Sequence, residues 1–513
     1  MKAHLNSAVK SAILTAQTPW SPSSRRRKNI SPMRILVGYP PVISEKGAPL
    51  LSQNRQFQWF HRPTFIYPMV PASAATLAAA DGHEVRWVDA IAERLDEKAF
   101  EKLYREFAPD VFLTETKTPV VKTTWRTVLR LKEIAPRTRI ALCGDHVTAL
   151  PQETFDHCPV DFLLLGGDYD VLFRDLLRAL EKHSDLPPGV LTKGSAEAGP
   201  PPRPGTPLDS LPWIDRDLTK WHLYSRENGN FRDIPGTYTM AGRDCWWGKC
   251  HFCSWTTLYP NWRTRSPENL LDEIGMLLDK YPLREIFDDT GCFPAGDWLR
   301  RFCKGVVERG YHKRVTLGCN MIPGALSQEL YDLMGEANFK FVLFGLESAQ
   351  ESTLDRIHKC PCAKNLEESL HMAKRAGLRP HVTCMVGYPW ETREEAQTTI
   401  DLARRLFDKG DIDTLQATIV IPYPGTPLFR ECQEQGWLKT EDWDRYDMRE
   451  PIMKSPMADS DILAMTRGIY SSFLTPRFLW RQLTSIRTWR DVRFYARAAG
   501  RVAGHLLDFA RNP

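Results

Sequence analysis

The sequence predicts an α/β protein in which a doubly wound, five-stranded parallel sheet is followed by a partial (β/α)6 barrel and a mostly helical C-terminal region. Three observations predict it. The 513 residues exceed what a single hydrophobic core usually organises. Short apolar runs alternate with longer amphipathic stretches in two separate series, the pattern of parallel strands wrapped by helices. Between the series lies a stretch rich in Pro, Gly, Ser and Ala, with Pro200, Pro201, Pro202 and Pro204 almost consecutive, which favours extended, semi-rigid backbone.

The expected organisation is therefore a first domain over 33–183, a linker over 184–215, a barrel over 216–430 and a helical region over 431–513. Residues 1–32 hold Arg25, Arg26, Arg27 and Lys28 amid Ser and Pro, with no apolar run that could bury itself. They read as a disordered tail or as the product of a start codon placed too far upstream. The strands of the first domain are predicted at Arg34–Tyr39, Glu84–Trp87, Val111–Thr114, Arg139–Leu142 and Phe162–Leu165, with helices over Phe100–Phe107, Thr124–Ile134 and Tyr169–Leu180. The second series has strands at Thr237–Met240, Glu285–Asp288, Val315–Gly318, Phe339–Gly345, His381–Val386 and Leu415–Ile421. Its first helix starts at Ser266 and Pro267, since Ser accepts an orphan amide and Pro suits the first helical position. Leu270, Leu271, Ile274, Leu277 and Leu278 then share one helical face. In such a barrel the reactive groups gather at the carboxyl ends of the strands.

Composition narrows the function. With 42% hydrophobic and 26% charged residues the chain reads as an ordinary globular protein, and a net charge of +5 over this length does not argue for nucleic acid. No run reaches the eighteen or so apolar residues of a membrane-spanning helix. A cytoplasmic protein is the expectation. The segment 471–511 carries eight arginines against two aspartates, interleaved with Phe473, Phe478, Trp480, Trp489, Phe494 and Tyr495. It reads as a helix packed on the barrel, with peripheral contact to anionic lipid as the second reading.

Twelve cysteines in a chain this long do not form a disulfide framework. Three of them stand apart. Arg243-Asp-Cys-Trp-Trp-Gly-Lys-Cys-His-Phe-Cys-Ser-Trp255 places Cys245, Cys250 and Cys253 on one loop directly after a predicted strand. Thiolates are the natural ligands of iron–sulfur clusters, and three ligands for four irons leave one iron open to a substrate or cofactor. A zinc site with His251 as fourth ligand, or three inert cysteines, are the duller alternatives. Cys360 and Cys362 flank Pro361, and the remaining cysteines are dispersed, so no second compact trio is present.

The loop resembles that of the radical S-adenosylmethionine (SAM) enzymes. The resemblance implies a [4Fe–4S] cluster on Cys245, Cys250 and Cys253, SAM chelated by the open iron, an aromatic residue near the adenine at Phe252, and reductive cleavage to a 5′-deoxyadenosyl radical. The family's commonest pattern has three residues between the first two cysteines, whereas Trp246 to Lys249 are four. Gly248 can absorb the extra one through a backbone conformation closed to other residues. Phe344-Gly-Leu-Glu-Ser348 is similar to the segment that meets the ribose hydroxyls, which implicates Glu347; a solvated strand-end carboxylate is the alternative. Asp288 and Thr290 end the second strand in the same position and are expected to face substrate or SAM, and Gly387 opens Val386-Gly-Tyr-Pro-Trp-Glu-Thr392, which resembles the turn after the fifth strand and allows close backbone approach to SAM or simply fixes a turn. Ile421-Pro-Tyr-Pro-Gly-Thr-Pro427 resembles the turn after the sixth strand. The barrel would be of the TIM-like, partial type.

A doubly wound sheet ahead of such a barrel resembles the cobalamin-binding domain of one radical SAM subgroup. Its ligand would lie across the carboxyl ends of the strands. Gly144, Asp145, His146 and Thr148 after the fourth strand, and Gly166, Gly167 and Asp168 after the fifth, match places where that domain meets the corrin. The Asp-x-His-x-x-Gly signature that supplies a histidine to cobalt is missing, since Arg86 closes the series begun by Asp81 and His83, and Asp145 adjoins His146 directly. His146 therefore reads as a hydrogen-bonding loop residue, and cobalamin is expected without a histidine ligand. A sheet that binds nothing is the alternative. The implied function is cobalamin-dependent methyl transfer to an unactivated carbon of a small-molecule or lipid-like substrate, with a flavodoxin- or ferredoxin-type electron donor. Cobalamin-dependent cyclisation or rearrangement, and a non-catalytic iron–sulfur or corrinoid-binding protein, are the rivals.

Overall fold

A computed structural model describes residues 32–51, 57–194 and 205–469, with isolated positions between 475 and 496. The expectations for residues 1–32 and for the basic-aromatic tail fall outside the described residues, apart from those isolated positions and the first residue before Met33. No described helix is long and apolar enough to cross a membrane.

The first sheet is built from β1 (Arg34–Tyr39), β2 (Glu84–Asp89), β3 (Val111–Glu115), β4 (Arg139–Cys143), β5 (Phe162–Leu164) and β6 (Val190–Leu191), in the order β2-β1-β3-β4-β5-β6. Five of these strands run parallel, and their apolar runs are buried on both faces, as a parallel sheet covered by helices requires. The chain reverses its winding between β1 and β3, which opens a crevice at their carboxyl ends. Gly38 in β1 has φ +145°, and a Cβ there would stand 1.8 Å from the Val88 carbonyl oxygen of β2, so only glycine lets the two strands close.

Two features of this sheet differ from the sequence expectation. It has six strands rather than five: Val190–Leu191, inside the predicted linker, pairs antiparallel with β5 and covers its edge. A helix, α1 (Met69–Ala80), also lies on the sheet, buried from Met69 to Ala78 and packed against β1, β2 and the helix Tyr169–Lys182. Its alanines present no polar face, so no helical period marks it.

The second sheet is all parallel and sequential: β7 (Gly236–Thr239), β8 (Glu285–Asp288), β9 (Thr316–Met321), β10 (Phe339–Glu347), β11 (Arg379–Val386) and β12 (Thr414–Ile419). Helices follow each strand from β8 onward, and the helix Pro267–Lys280 buries the five aliphatic residues expected of it, with Ser266 accepting from the Asn269 amide. Along β11 burial alternates strictly, one face packing on helices and the other on the space the sheet partly surrounds. The two sheets share a buried bridge. Arg216, 1% exposed, donates to Glu273 Oε1 (3.2 Å) and the Tyr238 carbonyl (2.8 Å) and lies 4.5 Å over the Tyr67 ring.

Candidate functional site

The cysteine loop leaves the carboxyl end of β7 and is fastened at several points. Gly242–Arg243 pairs antiparallel with Arg263–Thr264. The Gly242 amide donates to Thr290 Oγ1 (3.0 Å), the Thr290 amide to Asp288 Oδ1 (3.1 Å), and the Thr239 hydroxyl to Asp288 Oδ2 (2.9 Å). The Asp244 carboxylate accepts from the Gly291 amide. Farther along, Trp247 Nε1 donates to the His358 carbonyl (2.7 Å) and the His251 amide to that of Ile357 (2.9 Å). Gly248 takes φ +58°, the left-handed conformation that its place in the four-residue spacer requires.

So held, Cys245, Cys250 and Cys253 line one cleft together with Phe252, Glu347 and Lys359. Leu343, Gly345 and Glu347 of β10 and Thr383 and Met385 of β11 reach it by the two-residue period of their strands. Glu347 has φ +59°, rare for a residue with a side chain, and its Oε1 accepts from Lys359 Nζ at 2.5 Å. Burial opposes the charge of Lys359, but Glu347 and then Cys250 outweigh it and hold the ammonium above its ordinary value. Burial pushes the Cys250 and Cys245 thiols up, with Lys359 pulling each the other way, so a metal taking these ligands releases their protons. Asn320 also lines the cleft; its amide nitrogen donates to the Thr290 carbonyl (2.8 Å), while its Oδ1 is buried with no hydrogen-bond partner.

The residues present fit an iron–sulfur cluster and an adenosyl ligand: three thiols on one short loop, an aromatic ring, a carboxylate and an orphaned amide oxygen face one cleft. His251, the fourth ligand of the zinc alternative, stacks on His358 at 3.9 Å and is not part of the cleft wall. Among the described residues no three His, Cys, Asp or Glu side chains converge on a single metal position.

The remaining sequence candidates lie elsewhere. Asp288 and Thr290 are buried beneath the loop and support it. Gly387, at φ +91°, donates its amide to Glu391 Oε2 (2.9 Å), and a Cβ there would stand 3.3 Å from Ile462. In the first domain Gly144, at φ +119°, starts the short helix Asp145–Ala149 and has no space for a Cβ beside the Thr116 carbonyl. The Thr148 hydroxyl donates to the Gly144 carbonyl (2.6 Å) and accepts from the Gly166 amide (3.1 Å), tying the two candidate loops together. His146 is fully buried, its nitrogens against Thr118 Oγ1 (3.3 Å) and Glu153 Oε2 (3.2 Å), its ring between Trp125 and Trp443. Asp145 is buried, which raises its pKa, with Lys117 acting against the shift.

Gly167 and Asp168 meet the second sheet's loops. The Gly167 amide donates to the Leu258 carbonyl (2.9 Å), Tyr259 donates back to the Gly167 carbonyl (3.0 Å), and the Tyr259 ring fills the place of a Cβ. Asp168 accepts from Arg263 (2.6 Å) and Arg243 (3.3 Å), and Asp170 from Arg243 (2.8 Å). Buried Lys117 lies in the field of Glu115, Asp145 and, across the interface, Asp289. The carboxyl ends of the two sheets therefore face each other, with the cysteine loop between them.

Three residues of this arrangement went unremarked in the sequence. Asn320 stands next to the last residue of β9, two residues beyond the predicted strand end at Gly318. Arg243 opens the cysteine segment, but only the partner loop reveals its task. Lys359 follows His358, whose φ of +52° turns the chain toward the cleft, and no motif announces it.

Residues 241–403 match the model of the radical SAM superfamily. An uncharacterised methyltransferase of Pyrococcus horikoshii is 28% identical over 80% of this chain and 90% of its own length. The anaerobic magnesium-protoporphyrin IX monomethyl ester cyclase of Cereibacter sphaeroides is 25% identical over 75% of this chain, which spans 62% of that relative. The fold is similar to that of the radical SAM methyltransferase TsrM from Kitasatospora setae, a structure with cobalamin and a [4Fe–4S] cluster bound, at a TM-score of 0.62 and 15% identity, covering 86% of this chain and 85% of that one. The match to the radical SAM superfamily model spans the cysteine loop and β8 to β11, and so much of the cleft wall.

Proposed function

We propose that the chain is a cobalamin-dependent radical SAM methyltransferase acting at an unactivated carbon of a biosynthetic intermediate. When bound, the cluster supplies the electron that cleaves SAM and cobalamin carries the methyl group. Cys245, Cys250 and Cys253 hold the cluster, and Phe252 and Glu347 orient the adenine and ribose of SAM. Lys359 neutralises Glu347 and fixes its direction. The second sheet, in this reading, forms an open barrel, and the first a cobalamin domain whose loops at Gly144–Thr148 and Gly166–Asp168 face it. Substrate, small or lipid-like, enters between them, and a flavodoxin or ferredoxin delivers the electron.

One observation carries the reading: three thiols, an aromatic ring and a strand-end carboxylate share one cleft, at the carboxyl ends of a parallel sheet that faces those of another. Incubating the anaerobically reconstituted chain with methyl-labelled SAM, cobalamin, reductant and candidate substrates tests it. Methyl transfer yields S-adenosylhomocysteine, 5′-deoxyadenosine and labelled product together. Formation of 5′-deoxyadenosine without S-adenosylhomocysteine would instead favour cyclisation or rearrangement, a reading to which the Cereibacter cyclase lends weight. Replacing Cys245, Cys250 or Cys253 by Ala is expected to abolish both the visible absorbance of the cluster and 5′-deoxyadenosine formation; a variant that keeps its absorbance unchanged sinks the proposal.

A further inference from the structure

Cys360-Pro361-Cys362 brings two thiols outside the cluster trio into contact. The two sulfurs stand 2.6 Å apart. Cys360 is buried and forms part of the cleft wall next to Lys359, whereas Cys362 is half-buried and lies off the cleft. Their backbone is pinned. Pro361 opens the tight turn Pro361–Asn365 and fixes its own φ, the Cys360 carbonyl accepts from the Ala363 amide (2.8 Å), and the Cys362 carbonyl lies 2.1 Å from where a Cβ on Gly324 would stand.

We propose that Cys360 and Cys362 are a redox-active dithiol, a thiol–disulfide exchange site in the wall of the cleft. The oxidant is a low-molecular-weight disulfide of the glutathione type. One protein thiolate attacks it, releasing one small thiol and leaving a mixed disulfide; the second protein thiol displaces the other small thiol. Two S–H bonds are lost and one S–S bond forms, while the oxidant takes up the two electrons and two protons as two thiols. Burial, and then the neighbouring Cys360, push the Cys362 thiol up to about 12, so exchange proceeds through a minor thiolate and quickens as pH rises. Oxidation draws Cys360 against Cys362, reshaping the wall beside Lys359 and Glu347. That last effect rests on the cleft reading above; the exchange chemistry does not.

The test uses the full-length, anaerobically purified chain treated with oxidised glutathione, quenched by alkylation and digested with trypsin. The peptide Cys360–Lys364 is expected to pass from doubly alkylated to unalkylated and lighter by two hydrogens, with Cys303 and Cys319 still alkylatable after denaturation. In Cys362→Ser, which leaves the cleft wall intact, Cys360 stops at the mixed disulfide with glutathione while the cluster absorbance is retained. A peptide that stays doubly alkylated, or a Cys362→Ser chain that loses its cluster, overturns the proposal. Loss of the cluster only in the Cys245, Cys250 and Cys253 variants leaves it standing.

Discussion

At Glu347 two costs meet in one residue: a left-handed backbone, φ +59°, and a carboxylate 7% exposed. Lys359 offsets the second, and the register shift between Gly345 and Glu347 in the β10–β11 pairing accompanies the first. Strain of this kind persists where the surroundings over-determine it, as they do at ligand clamps. Glu347→Gln keeps the shape but leaves Lys359 buried beside a neutral amide. Affinity for SAM is expected to fall about tenfold to a hundredfold, the worth of a charge-assisted hydrogen bond, with the cluster absorbance retained. Equilibrium binding of SAM to the reconstituted variant checks this, and unchanged affinity would remove Glu347 from the ribose. That the cysteine trio, Phe252 and Glu347 gather at strand ends in one cleft was legible in the sequence, because local spacing and strand-end position carry them. Lys359 was not, since its place depends on where a turn twelve residues past Glu347 brings it.

Among the elements, β8 couples the site to the opposite end of its sheet. Asp288 closes it beneath the cysteine loop, and Glu285 opens it, buried, its Oε2 accepting from the amides of Arg232 (2.9 Å) and Asp233 (2.8 Å). Burial raises the Glu285 carboxyl from 4.5 to about 8. The folded chain thus keeps this proton over a range in which the unfolded chain has lost it, and stability falls as pH climbs through that window, by up to about 1.4 kcal/mol per pH unit from this group alone. Glu285→Gln is expected to flatten the fall, which urea unfolding at about pH 5 and about pH 8 would reveal; parallel curves for the two proteins would contradict it. Elements with a clear period, such as β1, β8 and the helix Pro267–Lys280, were legible to within a residue or two. The buried helix α1 was hidden because small apolar residues on every side give no face. Val190–Leu191 was hidden because two residues among turn formers pair only through a distant edge.

At the level of the whole molecule, the charges between the sheets do more than decorate an interface. Arg243, two residues before Cys245, is 6% exposed and answers to Asp170, which is fully buried beside the first sheet and held below the usual carboxylate range: burial opposes its charge, but Arg243 outweighs it. Removing one partner of such a pair leaves a buried charge alone and costs on the order of 3 kcal/mol. Asp170→Asn is expected to lower the melting temperature and to speed alkylation of Cys245 in the metal-free chain; an unchanged alkylation rate would separate the pair from the loop. None of this pairing could be read from residues 73 positions apart. The Tyr259 ring against Gly167 carries the same lesson toward the workbench. The second sheet expressed without the preceding half would present that aromatic to water and take Asp168 and Asp170 from Arg243, so the two halves are poor candidates for independent production or for swapping between relatives, and metal loading is best attempted on the uncut polypeptide.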